Sequence, residues 1–138
     1  MSSPRPLEVF LSHSDLDRDL AESVADLLAR HGVPVWFSRQ RLQGAQNWHD
    51  EIGDALNRCD WVIRLATPNA IASRWVRLEV GFVVRTPRFD GRLIPLLVEP
   101  CDLQAVSWTL PQIQYIDFSD FERGMRQLLA TWGIGFRP

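Results

Sequence analysis

A chain of 138 residues fits one domain with its own core, and 46% hydrophobic against 23% charged residues is ordinary for a globular protein. A formal charge of −2 gives no support for a nucleic-acid binder held by phosphate contacts. All fifteen basic residues are arginine, which excludes chemistry that needs a Schiff-base lysine or a phosphate-binding lysine.

Two cysteines, Cys59 and Cys101, make neither a disulfide framework nor a zinc site, and no metal is expected. Met1 to Pro6 carries one arginine and no apolar run, so no signal peptide is expected, and no stretch reaches the length of a membrane span. The expectation is a cytoplasmic protein with a single domain over residues 1–138 and a core over about 7–133.

In chain order, Leu7–Ser12 is a short apolar run that predicts a buried first strand. Ser14 and Asp17 resemble a capping box, with Asp in place of the usual Glu. The helix they open carries Leu20, Val24, Leu27 and Leu28 at helical spacing and stops at Gly32. Val33–Phe37 predicts a second strand, and Ser38–Asn47 is an aperiodic loop carrying Arg39, Arg41 and Gly44. Asn47 caps a second helix, Trp48–Arg58, with Trp48, Ile52, Ala55 and Leu56 inward.

Asp60–Ala66 predicts the third strand. Arg64 interrupts its apolar run and needs a carboxylate, a carbonyl or an edge position. Thr67-Pro68 is an N-cap followed by proline at the first helical position. Ser73 caps a further helix through Val83, which places Trp75 and Glu79 four residues apart on one face. Glu79 on so apolar a helix either faces a cleft or sits partly exposed on an amphipathic surface. Arg92–Val98 predicts a fourth strand whose Pro95 places it near an edge or at a bulge. Gln112–Phe118 predicts the fifth strand and Asp120–Trp132 the last helix, amphipathic through Phe121, Met125, Leu128 and Leu129.

This alternation predicts an α/β, flavodoxin-like three-layer sandwich, with a five-stranded parallel sheet and helices on both faces. Ligands bind such sheets at the carboxyl ends of the strands, here Ser12–Ser14, the 38–47 loop and Thr67–Ser73. There is no G-x-G-x-x-G, P-loop or G-x-S-x-G pattern. The acids and lysine of a receiver domain are missing as well. His31 and His49 read as ordinary helix-end and surface residues.

Four segments resemble the TIR (Toll/interleukin-1 receptor) domain. They are Val9–Ser14 with Asp17; Val33–Phe37; Leu42-Gln43-Gly44 through Trp48 and Ile52; and Leu65–Asn69 followed by Ser73-Arg74-Trp75 and Glu79. The last resembles the Trp-x-x-x-Glu motif of the bacterial enzymatic branch. Ser38 and Arg39 stand where the family often has an acidic residue, and Gly44-Ala45-Gln46 where it often has Gly-Asp or Gly-Glu.

The resemblance implies an NAD glycohydrolase or cyclase that cleaves the nicotinamide–ribose bond, with Glu79 catalytic and NAD as substrate rather than cofactor. Trp75, Ser12, His13, Ser14, Arg41 and Ser73 are the implied substrate-binding residues; Arg41, or Arg39 near it, either reaches the diphosphate or stays solvated or at a protein interface. Trp75 either packs against nicotinamide or ribose or simply fills the core. Ser12, His13 and Ser14 either bond ribose or phosphate or serve to end the strand and cap the helix. The resemblance further implies homo-oligomeric TIR–TIR assembly, ADP-ribose or a cyclic ADP-ribose as product, and a downstream effector that senses it. The implied setting is bacterial anti-phage immunity, with no nucleic-acid or membrane partner. A non-enzymatic TIR adaptor is the alternative. A nucleoside deoxyribosyltransferase-like enzyme is disfavoured by the Trp-x-x-x-Glu context and the Gly44 loop.

Overall fold

The computed structural model describes residues 5–37, 53–72, 81, 83, 85–89, 91–99 and 115–137. Five short strands form one parallel sheet: β1 (Val9–Ser12), β2 (Val35–Trp36), β3 (Trp61–Ala66), β4 (Leu93–Leu97) and β5 (Ile116–Asp117). Their order is β2-β1-β3-β4-β5, the flavodoxin-like arrangement expected from the sequence. The helices are α1 (Arg18–Arg30), α2 (Gly53–Arg58), α3 (Pro68–Ala72) and α4 (Phe121–Thr131), and Gly81 and Val83 are also helical.

Strand alternation assigns each side chain to one of two cores. Val9, Leu11, Ile63, Leu65, Ile94 and Leu96 pack on one face with Val24, Leu28, Met125 and Leu128 of α1 and α4. Phe10, Val62, Ala66 and Leu93 pack on the other with Ala55, Leu56, Val83 and Phe89. Both faces are therefore buried, which is why the strands read as near-continuous apolar runs. Gly32 ends α1 at φ +80°, as its position predicts. Among the described residues, no helix is long and apolar enough to cross a membrane.

Two expectations change, those for Leu7 and Asp17. Leu7, assigned to the buried first strand, is 79% exposed. Its backbone N–H instead meets both carboxylate oxygens of Asp60 at 3.1 Å, so pairing begins only at Val9. Pro95 lies near an edge as expected: its strand pairs on both sides, and the outer neighbour β5 is the edge strand. Val98 donates to Ala66 and Leu97 accepts from Phe118, so odd-numbered β4 residues turn their backbone groups toward β5. The β5 pairing begins at Leu96, so the donor that Pro95 lacks points where no β5 residue is paired. Asp17 does not cap α1 through its side chain.

The predicted helix Trp48–Arg58 is described only from Gly53, and the predicted strand Gln112–Phe118 only from Tyr115. The 38–47 loop lies outside the described residues.

Gly124 sits on the buried face of α4, where a Cβ would overlap the ring of Phe118. Alanine normally stabilises a helix interior by about 1 kcal/mol over glycine. The buried Phe118 ring has little room to retreat, so we expect Gly124→Ala to destabilise the fold by about 1–3 kcal/mol. Urea unfolding reads this directly, and a midpoint equal to or above wild type would contradict the close approach.

Candidate functional site

β1 and β3 are adjacent in the sheet although the chain visits β2 between them, and the switch point lies at their carboxyl ends. Val9 to Ser12 pair with Trp61 to Arg64 in unbroken register. The loops leaving both strands therefore open side by side. Ser12–Ser14 comes from the first and Thr67 to Ala72 from the second.

Ser12 is buried and lies across from Arg64. Arg64 is wholly buried and faces the side of the sheet covered by α2, Val83 and Phe89. Because β3 has a strand on each side, the edge position that sequence allowed for this arginine is excluded. Such a guanidinium needs anionic or carbonyl acceptors to offset its desolvation.

His13 is half-buried and lies edge-on to the Phe37 ring, with centroids 5.7 Å apart. Its Nδ1 lies 2.8 Å from the Ser14 carbonyl oxygen, an acceptor, which assigns the proton to Nδ1. Nε2 is then a lone-pair acceptor, and it is buried with no partner among the described residues. Ser14 Oγ accepts from the Leu16 N–H at 3.2 Å, and the Ser14 carbonyl accepts from Asp17 N–H at 2.9 Å. The hydroxyl of Ser14 thus supports the helical turn Asp15–Asp17 that precedes α1.

Asp17 joins the two loops. Thr67 Oγ1 donates to its Oδ2 at 2.6 Å, and Asn69 Nδ2 donates to its Oδ1 at 3.3 Å. Thr67 Oγ1 in turn accepts from the Ala70 N–H at 3.0 Å, capping α3 as sequence predicted. Sequence reasoning missed this clamp because it gave Asp17 a local partner. The signal was present in Thr67-Pro68-Asn69, once β1 and β3 are known to be neighbours.

Of the candidate residues, the structure brings together Ser12, His13 and Ser14 beside Thr67 and Asn69. Arg41, Ser73, Trp75 and Glu79 lie outside the described residues. Cys59 belongs to the opposite, amino-terminal edge, packed with Phe10, Leu56 and Val62. Burial pushes its thiol up to about 12, with the Glu8 carboxylate adding to the effect, so it is no nucleophile at neutral pH.

A family model described as TIR domain matches residues 9–129. Among curated proteins, the chain is 24% identical over 90 residues to the NAD(+) hydrolase TcpC of Escherichia coli O6:H1, strain CFT073. That match covers 64% of this chain and 29% of the relative, so the chain spans under a third of that protein's length. Among solved structures, the TIR domain of the Toll-related receptor TRR-2 from Hydra magnipapillata superposes with a TM-score of 0.71 at 17% identity. The superposition covers 88% of this chain and 94% of that one. This last likeness is one of fold.

Two outcomes test the site's construction. In a double-mutant cycle of Asp17→Ala and Thr67→Val, we expect a coupling energy of about 1.5–3 kcal/mol, as for hydrogen bonds to a charged group. Additive losses would mean the clamp contributes nothing. The raised thiol pKa favours the neutral folded form, so the Cys59 contribution to stability is complete below the ordinary value of 9.0 and is lost as pH rises toward about 12. Peptide-level alkylation of the folded chain at pH 8 should leave Cys59 unmodified, with labelling appearing only on unfolding.

Proposed function

Because the chain belongs to the TIR-domain family, we propose that it cleaves NAD at the nicotinamide–ribose bond. The observation that carries this reading is the meeting of two loops at the switch point. The Ser12–Ser14 loop is clamped through Asp17 to Thr67 and Asn69, immediately before the stretch Ser73–Glu79 in the chain. The likeness to a protein named an NAD(+) hydrolase supports the same reading.

In the proposed mechanism, the bond from ribose C1′ to the nicotinamide nitrogen breaks, and its electron pair leaves with the ring. Nicotinamide departs from a pyridinium and becomes neutral, so no general acid has to protonate it. The ribose becomes oxocarbenium-like, and the Glu79 carboxylate stabilises that charge or holds the ribose hydroxyls. One carboxylate suffices, unlike the pair used by most glycosidases.

His13 Nε2, an acceptor with no partner among the described residues, suits a ribose hydroxyl rather than a phosphate oxygen. Ser12 and Ser14 supply further hydroxyls at the same loop, and Arg41 provides a fork for the diphosphate. By the sequence motif, Trp75 is proposed to offer an aromatic face and Ser73 to stand at the start of the segment that carries Trp75 and Glu79. Water capturing C1′ gives ADP-ribose and a proton, whereas an adenine nitrogen gives a cyclic product. The proposed setting is bacterial anti-phage defence, in which either NAD loss or the nucleotide product is the signal.

Activity is proposed to require assembly of several copies. Leu16, beside Asp17 at the candidate edge, is 79% exposed, as suits a residue covered by a second copy. The same exposure favours the second reading, an adaptor that assembles without chemistry.

Concentrated protein incubated with NAD, with products separated by chromatography, should release nicotinamide. Glu79→Gln should lower turnover by roughly 100-fold or more, with the fold intact by circular dichroism. Turnover that survives in Glu79→Gln would sink the assignment. Unchanged NAD with wild type, even as a forced oligomer, would leave the adaptor reading.

A further inference from the structure

The end of the sheet opposite the candidate site carries a second, differently built cleft. α1 and α4 each follow a strand and run back along the sheet, so both end at the amino-terminal edge. Between those ends lies an open cleft of about 390 Å³, lined by Arg5, Arg30, His31, Phe136 and Arg137 with the 133–135 backbone. Among the described residues, no carboxylate side chain lines it.

Three guanidinia around one cleft is more positive charge than the helix ends require. Helix C-termini favour a cation through their unpaired carbonyls. Arg5 meets that need for α1, donating from Nη1 to the His31 carbonyl at 3.4 Å. The side chains of Arg30 and Arg137 are exposed and make no hydrogen bond or ion pair among the described residues. Carboxylates pair with arginines elsewhere, at Arg58–Glu8 and Arg126–Glu122.

The cleft wall is fixed. His31 Nδ1 lies 2.8 Å from the Leu27 carbonyl oxygen, and His31 Nε2 accepts from the Arg137 N–H at 2.9 Å. The neutral ring therefore ties α1 to the segment that carries the third arginine. Phe136 is stacked on His31, with centroids 5.8 Å apart, and the Arg126 guanidinium lies 4.4 Å from its centroid. Its ring is already engaged, so the cleft offers charge rather than an open aromatic surface.

We propose that this cleft, formed by Arg5, Arg30 and Arg137 around the His31–Phe136 wall, binds a compact multivalent oxyanion of the phosphate or diphosphate class. Arginine forks match tetrahedral oxyanions bidentately, and two of the three are uncommitted. The site is separate from the NAD reading. The six residues of β3 set the two edges roughly 20 Å apart.

The test is calorimetric titration of the whole chain with inorganic pyrophosphate at constant ionic strength, beside inorganic phosphate and sodium chloride. Pyrophosphate should bind saturably, phosphate more weakly, and chloride not at all. Arg30→Gln with Arg137→Gln should weaken pyrophosphate binding by about tenfold or more. Arg123→Gln, an exposed arginine outside the cleft, should leave it unchanged. Glu79→Gln should also bind pyrophosphate as wild type does, which separates this outcome from the fate of the NAD proposal. Absence of saturable binding, or unchanged binding in the Arg30/Arg137 variant, overturns the proposal. If that double variant does not fold, Arg30→Gln alone gives the same reading through a smaller loss.

Discussion

The register between β1 and β3 is the constraint on which the rest depends. Four consecutive pairs, Val9 with Trp61 through Ser12 with Arg64, join strands that are not consecutive in the chain. A slip of β1 by one residue against β3 would send Phe10 toward α1 and α4 and Leu11 away from them, while Val62 and Ile63 kept their faces. The same register fixes where the two strands stop. Ser12 and Arg64 end up abreast, and the chain leaves β1 close enough to Thr67 for a 2.6 Å hydrogen bond to Asp17. The switch point is thus closed by a specific contact as well as by topology.

Sequence revealed the layers readily because both faces of the sheet are buried. Val-Phe-Leu and Trp-Val-Ile stand out as apolar runs, and the helices between them repeat at 3.6 residues. It failed where one residue type serves two physical roles. Leu7 extends an apolar run, yet the Asp60 carboxylate takes its backbone N–H and leaves the side chain in solvent. Asp17 stands where a helix cap belongs, and a partner 50 residues away takes it instead. Contacts across that separation depend on which strands are neighbours, which local patterns do not encode. Of the candidate site, Ser12, His13 and Ser14 were legible as the exit of β1, whereas the roles of Arg41, Ser73, Trp75 and Glu79 rest on the sequence motif.

The two edges of the sheet are polarised by the same rule of chain direction, with opposite consequences. At the carboxyl edge the strands end and loops begin, so side chains such as His13 and Asp17 are presented by connections that can vary without disturbing the cores. At the amino edge α1 and α4 end, and at the end of α1 the His31 carbonyl draws in Arg5. A chain without lysine meets that demand with forks rather than point charges, and a fork left uncommitted after capping still has donors to offer.

α1 spans the distance between these edges, from the Asp17 clamp to the His31 bridge, over thirteen residues or about 20 Å. Its inner face is locked into the core through Val24, Leu27 and Leu28, so the helix holds both ends at a fixed separation. No side chain named at one edge touches one named at the other, and sites this far apart without shared partners contribute additively. Energetic coupling between Asp17 and the arginines of the cleft would therefore require α1 to move as a unit against a close-packed layer. Interdigitated cores resist that motion unless a second packing exists. One helix thus anchors both the Asp17 clamp and the His31 bridge while keeping their energetics separate.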